Sequence, residues 1–227
     1  MLRVHGLEED DAQHAKICRE YQEGVPFLGW KTERRELCCG DDRIVVVKPG
    51  DPPQHRKKVM EVKAIVDAEL GFATFAGSST TSFASAPSNP LEDVTSYLYI
   101  SAKRVVGLVL VKTLSRAYQL LPPETNGSKN NNGNSDDGDG NPHHGIDSYS
   151  RSLQPSKAMM GIHQIWCHRS HRQAGIASKL CDAARSSLVF GMTVPLELVA
   201  FSSPTMDGIR FAKRYLGVDT PLVYDMS

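Results

Sequence analysis

Apolar positions gather into short runs separated by Gly, Pro, Ser and Asp, and the spacing within each run predicts its element. Arg43 to Lys48 (RIVVVK) has strand length and turn residues at both ends, and is expected to pair with Glu36 to Cys39 through Gly40-Asp41-Asp42. Asp51-Pro52-Pro53 then opens a helix, since proline is tolerated in a first turn. Val59, Val62, Val66 and Leu70 recur at helical spacing, and Gly71 supplies the stop. Tyr97 to Ile100 and Val105 to Val111 read as two strands joined by the polar turn Ser101 to Arg104.

Further on, Gly161 to Cys167 (GIHQIWC) alternates as a strand. Ala174 to about Val189 follows as a helix with Ile176, Leu180, Ala183 or Ala184, and Leu188 on one face. Leu196 to Phe201 reads as a strand, Thr205 to Tyr215 as a helix ending at Gly217, and Pro221 to Tyr224 as a last strand. This order is α+β (mixed α/β), and it suits one central sheet with helices packed on its faces. Two stretches interrupt it. Ala73 to Pro90 is rich in Ser, Thr and Ala, and Pro122 to Ser156 is almost free of apolar side chains. Neither buries enough to offset the entropy of ordering, so both read as disordered insertions.

Composition narrows the class. Apolar residues make up 40% of 227, enough for a proper core. Lys and Arg balance Asp and Glu at 26 each, so the chain as a whole carries no nucleic-acid footprint and direct DNA binding is not expected. The five cysteines, Cys18, Cys38, Cys39, Cys167 and Cys181, are odd in number and irregularly spaced, which argues against a disulfide framework. No apolar run approaches membrane-spanning or signal-peptide length. The expectation is a soluble intracellular protein with no membrane partner.

The strongest chemical signal is Arg172-Gln173-Ala174-Gly175-Ile176-Ala177, set between a strand and an amphipathic helix. Small residues there let a backbone approach a ligand closely, and the free N–H groups of a helix start point at phosphates. Arg172, with Arg169, His168 and His171, adds local positive charge. On six residues alone an ordinary helix N-terminus is the commoner explanation; the strand before and the strand–helix–strand after change those odds.

The hexapeptide resembles the pyrophosphate loop of the GCN5-related (GNAT) acetyltransferase superfamily. Longer stretches resemble one family within it, the sister-chromatid cohesion (establishment-of-cohesion) N-acetyltransferases. They are EGVPFLGWKTER from Glu23, IVVVKPGDPPQHRKKVMEVKAIVDAELGF from Ile44, then GIHQIW, RQAGIASKL, VAFSSPTMDGIRFAKRY and PLVYDM, in family order. The resemblance implies a GNAT-type acyl-CoA N-acyltransferase fold over 27–227, with a central, mostly antiparallel sheet, helices on both faces and insertions at about 73–90 and 122–156. It implies acetyl-CoA as acetyl donor, an SMC-type cohesin subunit as protein substrate, chromatin and the replication machinery as partners, and a nuclear location.

By the same resemblance, Ile165, Trp166, Cys167, Arg172, Gln173, Ala174, Gly175, Ile176, Ala177, Asp207, Phe211 and Tyr215 would meet the cofactor. Asp182 and Ser203 stand where the family places residues that handle the substrate proton. Serine at 203 departs from the acidic residue of the family, leaving a relay water as its role. Each has a plainer reading. Asp182 can be a solvated helix residue paired with Lys179 or Arg185, Trp166 a core aromatic, and Thr205 and Asp207 simple helix-cap residues. Residues 1–26 resemble the end of a family zinc finger, with His14 and Cys18 as a His-x-x-x-Cys pair on one helix side. The preceding cysteine pair is absent, so Met1 is expected to be an internal methionine and zinc to need a longer form. A GNAT enzyme for another amine, and a non-catalytic cohesin- or chromatin-binding module, are the alternatives.

Overall fold

A computed structural model describes residues 23–70, 91–122, 149–202 and 204–225. The chain divides into two compact units: 1–112 with 162–193, and 113–161 with 194–227.

In the first unit the strands are β1 (Val25–Pro26), β2 (Arg34–Cys39), β3 (Asp42–Val47), β4 (Thr95–Ser101), β5 (Arg104–Thr113) and β8 (Met160–Cys167), the last joining this unit from Ile162. Neighbours run β2-β3-β4-β5-β8, with β1 also on β5. The β1–β5, β2–β3, β3–β4 and β4–β5 pairs are antiparallel. Alternation sends Leu98 and Ile100 to one face and Tyr97 and Tyr99 to the other. Helix α1 (Pro53–Glu69) packs Val59, Val62 and Val66 against the first face, with Val45, Val47, Leu108 and Leu110. As expected, proline stands in its first turn. Leu70 is not a core residue, however: the helix ends at Glu69, and Leu70 is 39% exposed.

Helix α2 (Ile176–Ser187) belongs to the other face. It buries Ile176, Leu180, Cys181, Ala183 and Ala184. A Cβ at Gly107 of β5 would stand 2.8 Å from Ile176 Cγ2, 3.0 Å from Leu180 Cδ1 and 3.1 Å from Tyr99 Cβ. The start of α2 is therefore seated on bare backbone. Just before β2, Glu33 gathers the Trp30 N–H (3.1 Å), Arg35 Nε (2.8 Å) and Arg43 Nε (3.0 Å). Burial pushes its carboxyl pKa up, but these donors outweigh burial and hold it below the ordinary value.

The second unit holds β6 (Arg116–Leu121), β7 (Ser150–Lys157), β9 (Val199–Ser202) and β10 (Leu222–Tyr224), in the order β9-β10-β6-β7. Only β9 and β10 pair in parallel among these neighbours. Helix α3 (Met206–Leu216) starts at Thr205, whose Oγ1 accepts the Gly208 N–H, and ends at Gly217 in the left-handed conformation. Two sequence expectations need correction here. Residues 150–156 are not part of an unstructured insertion: they lie in β7, whose backbone pairs with β6 although its side chains are mostly exposed. Leu196–Leu198 is a 3-10 turn behind Pro195, and the strand begins at Val199. Residues 71–90 and 123–148, and both His14 and Cys18, lie outside the described residues.

Gly107→Ala is expected to lower stability by about 1–3 kcal/mol, the usual cost of forcing a methyl into a packed contact, read as the shift in urea midpoint at constant slope. An unchanged midpoint would mean α2 is not seated there.

Candidate acetyl-CoA site

Strand β8 ends at Cys167 and the chain turns at once. His168 donates its backbone N–H to Val106 O (2.8 Å) and is fully buried. Its ring meets Ser170 Oγ at 2.7 Å. A buried ring cannot serve as surface charge, so the expected basic cluster loses His168 and keeps Arg169 and Arg172, both exposed. A 3-10 turn at Arg169–His171 brings the chain to the predicted loop.

Gln173 (φ 63°) and Gly175 (φ 74°) both adopt the left-handed conformation, and Gly175 is the N-cap of α2. At Gly175 a Cβ would meet nothing within 4 Å, so the loop borders open space. The first intrahelical bond runs from Lys179 N to Gly175 O, at 3.0 Å. The amides of Ile176 and Ser178 thus have no partner inside the helix. Ala177 differs: its N–H is taken by the Cys167 thiol. Exposed backbone donors at a helix start beside an arginine can hold a phosphate. Arg172 itself donates Nε to Cys167 O (3.2 Å), which ties the loop back to the strand.

The other sequence-predicted residues fall into two groups. Ile165 and Cys167 are half-buried, whereas the Trp166 side chain is 4% exposed and packs in the α1 core. Its indole N–H goes to Glu69 Oε2 at 2.6 Å, so only its backbone is left for a ligand. Asp182 lies on the solvent side of α2, 58% exposed and 3.2 Å from Arg185. In the second unit, Asp207 is 91% exposed and pairs with Arg210. Phe211 stacks on Tyr215 (5.5 Å, 9°) and stands edge-on to Phe201 (6.3 Å). Ser203 lies outside the described residues. Among the described residues no group of three or more His, Cys, Asp or Glu could hold a metal ion.

Comparison with known proteins decides what such a loop belongs to. The ESCO1/2 acetyl-transferase family matches residues 156–224. Mouse N-acetyltransferase ESCO2 is 33% identical over 225 residues, covering 99% of this chain and 34% of the mouse protein. Human N-acetyltransferase ESCO1 is 30% identical, covering 99% of this chain and 25% of the human protein. The solved xEco2 acetyltransferase domain, bound to a CoA conjugate, is 31% identical with a TM-score of 0.66. The alignment covers 87% of this chain and 99% of that domain. This chain belongs to the ESCO1/2 acetyltransferase family. Its mixed α/β fold is the GNAT-like fold of that domain. The chain spans about a third of the length of the ESCO2 relatives it matches.

The contacts of the structure bring in groups that the sequence alone did not single out. Glu69 is one, since nothing in its local pattern separates it from a surface glutamate. Among the described residues, Cys167 and Cys181 are free thiols. Burial pushes the Cys167 thiol up to about 11, against the opposing pull of Arg172 and the Ala177 N–H. Cys181 is fully buried and is raised further.

A thiol at about 11 is roughly one part in a thousand ionised at pH 8. Iodoacetamide labelling of Cys167, followed on its peptide by mass spectrometry, is therefore expected to rise about tenfold per pH unit from 7 to 10 without levelling off. A plateau near pH 9 would show an ordinary, accessible thiol.

Proposed function

We propose that this chain is the catalytic domain of an acetyl-CoA-dependent protein-lysine N-acetyltransferase. Its substrate is the ATPase head of an SMC-type cohesin subunit, and its work is to establish sister-chromatid cohesion in S phase, in the nucleus, beside chromatin and the replication machinery. The observation that carries the reading is the likeness to the xEco2 acetyltransferase domain over 99% of that domain, in a form bound to a CoA conjugate.

The residues fit an acyl-CoA. The open space at Gly175 and the amides of Ile176 and Ser178, which have no partner inside the helix, suit a pyrophosphate, with Arg172 as counter-charge. Gln173, Ala174 and Ala177 complete that cradle. The backbone of Ile165, Trp166 and Cys167 is the part of β8 available to the pantetheine arm and the thioester oxygen. Asp207, Phe211 and Tyr215 are assigned to cofactor contact in the second unit. Acetyl-CoA, when bound, supplies the activated acetyl group.

The protein's own task is to hold the amine in line and take its proton. A lysine has a pKa of about 10.4, so presenting it neutral near pH 7.4 costs roughly 4 kcal/mol. A carboxylate, directly or through water, meets that need. Asp182 is assigned the role: its exposed position lets it pass the proton on to solvent. Ser203, by this reading, holds a relay water. Zinc is assigned to a longer form, in which His14 and Cys18 gain a second pair of ligands. The ion pair that occupies Asp182 favours one further reading, a weakly catalytic or non-catalytic cohesin-binding module.

Incubation with acetyl-CoA and a recombinant cohesin ATPase head, with acetyl-lysine mapped by mass spectrometry, separates these. Acetylation that falls at least about tenfold in Asp182→Asn is the expected result. Undiminished acetylation would move the proton to the Ser203 water, and acetyl-CoA binding without acetylation would leave the binding module.

A further inference from the structure

One carboxylate in the first unit is buried with half of its hydrogen-bonding capacity unspent. Glu69 closes α1, and its side chain is 8% exposed. Its Oε2 accepts the Trp166 indole N–H at 2.6 Å. The Arg172 guanidinium stands 3.9 Å from the same oxygen, which supplies charge but no hydrogen bond. Its Oε1 is buried and unpartnered.

The pattern repeats two residues back on both elements. Gln164 Nε2 donates to Asp67 Oδ1 at 2.8 Å, and Asp67 Oδ2 takes the Lys63 ammonium at 2.6 Å. Gln164 Oε1 is then buried and unpartnered like Glu69 Oε1. Two acceptors are left over, one on the Glu69 carboxylate at the end of α1 and one on Gln164 of β8. Native interiors rarely leave such groups unpaired, and each calls for an explanation.

The chemistry of the missing group follows from the inventory. It must donate, which excludes phosphates, carboxylates and carbonyl-only ligands, and the negative charge of Glu69 favours a cationic donor. An alkylammonium has three donors and no acceptor. Arg172, its side chain 60% exposed, stands 3.9 Å from Glu69 Oε2, beyond hydrogen-bond distance. Strand β8, which carries Gln164 and Trp166, runs directly into Cys167 and the cofactor loop. We propose that Glu69 Oε1, with Gln164 Oε1 of β8 as a second acceptor, receives the ammonium of the substrate lysine. The assignment rests on the acetyltransferase reading above and adds an amine subsite to it. Proton removal stays with another group, because Glu69 binds the charged amine and orients it.

Glu69→Gln is the discriminating variant. An amide oxygen still accepts the Trp166 N–H, so packing is kept, but the second oxygen becomes a donor and meets an ammonium with N–H groups. Two readouts are used on the full chain. Kinetics with the cohesin head should show the KM for the protein substrate raised at least about tenfold, with the KM for acetyl-CoA unchanged, as loss of a charged hydrogen bond predicts. Titration with Nα-acetyl-lysine methyl ester should shift the Trp166 indole N–H resonance in the wild type and not in Glu69→Gln. The Nε-acetylated analogue should shift neither. A coincident indole resonance in the two free proteins establishes that the variant is intact. Unchanged KM and an unchanged titration in Glu69→Gln would overturn the proposal. Should the wild type not turn over at all, the acetyltransferase reading fails, while the titration still decides the amine subsite.

Discussion

Helix α2 can lie against β5 only because residue 107 carries no side chain. The contact is closer than any Cβ tolerates, 2.8 Å to Ile176 and 3.0 Å to Leu180. Those two residues are the first core positions of the helix, so the contact fixes where the helix begins as well as its height above the sheet. The loop inherits that placement. Gly175 turns the chain in the left-handed conformation, and the amides of Ile176 and Ser178, without partners inside the helix, follow within three residues. From the strand side, the Cys167 thiol holds the Ala177 N–H and Arg172 holds the Cys167 carbonyl. The open space at this loop is thus bordered by a close packing contact on one side and two hydrogen bonds on the other. Such placement of amides before a ligand arrives is what makes an anion cradle effective.

The opposite face is held differently. Helix α1 offers a narrow apolar stripe, chiefly Val59, Val62 and Val66, together worth roughly 5–9 kcal/mol gross at the usual value for a buried aliphatic side chain. Hydrophobic burial is non-directional and would tolerate a helix slid or rotated by a few degrees. The two cross-links Gln164–Asp67 and Trp166–Glu69 are directional, two residues apart on both elements, and they lock the last turn of α1 to β8. Register on this face is therefore set by polar contacts, and those same contacts leave behind the unpaired acceptors.

Elements that bury one face were legible in the amino-acid pattern. The valines of α1, the Ile176–Leu180 face of α2, and the Thr205 and Gly217 limits of α3 all follow from periodicity and capping. Strand β7 was not legible, because an edge strand with exposed side chains and Pro155 among them has no alternation to read. It is held by backbone pairing to β6, which leaves no trace in composition. Residues 196–198 misled for the opposite reason: two leucines and a glutamate suggest a strand, but Pro195 favours the tight turn. The loop from Arg172 to Ala177 was found because its small residues serve the backbone directly. Glu69 was invisible, since burial of a charged residue depends on partners nearly a hundred positions away in the chain. Gly107 was hidden likewise, a single small residue within an apolar run.

Two carboxylates in the first unit now stand in contrasting settings. Asp182 is 58% exposed on α2, with Arg185 as a loose partner. Glu69 is 8% exposed and gives one oxygen to an indole. An exposed carboxylate exchanges protons with water readily and is poorly suited to fix the direction of an amine, because solvent screens it and its rotamers are many. A buried one attracts a cation strongly and holds it in one geometry, but has no water to hand the proton to. Amine acetylation needs both properties, since the ammonium must first be captured and oriented and then lose its proton. A single carboxylate would have to compromise between them. On the roles proposed for them, the carboxylate on the solvent side of α2 serves proton release and the one at the buried end of α1 serves capture, each in the environment that suits it.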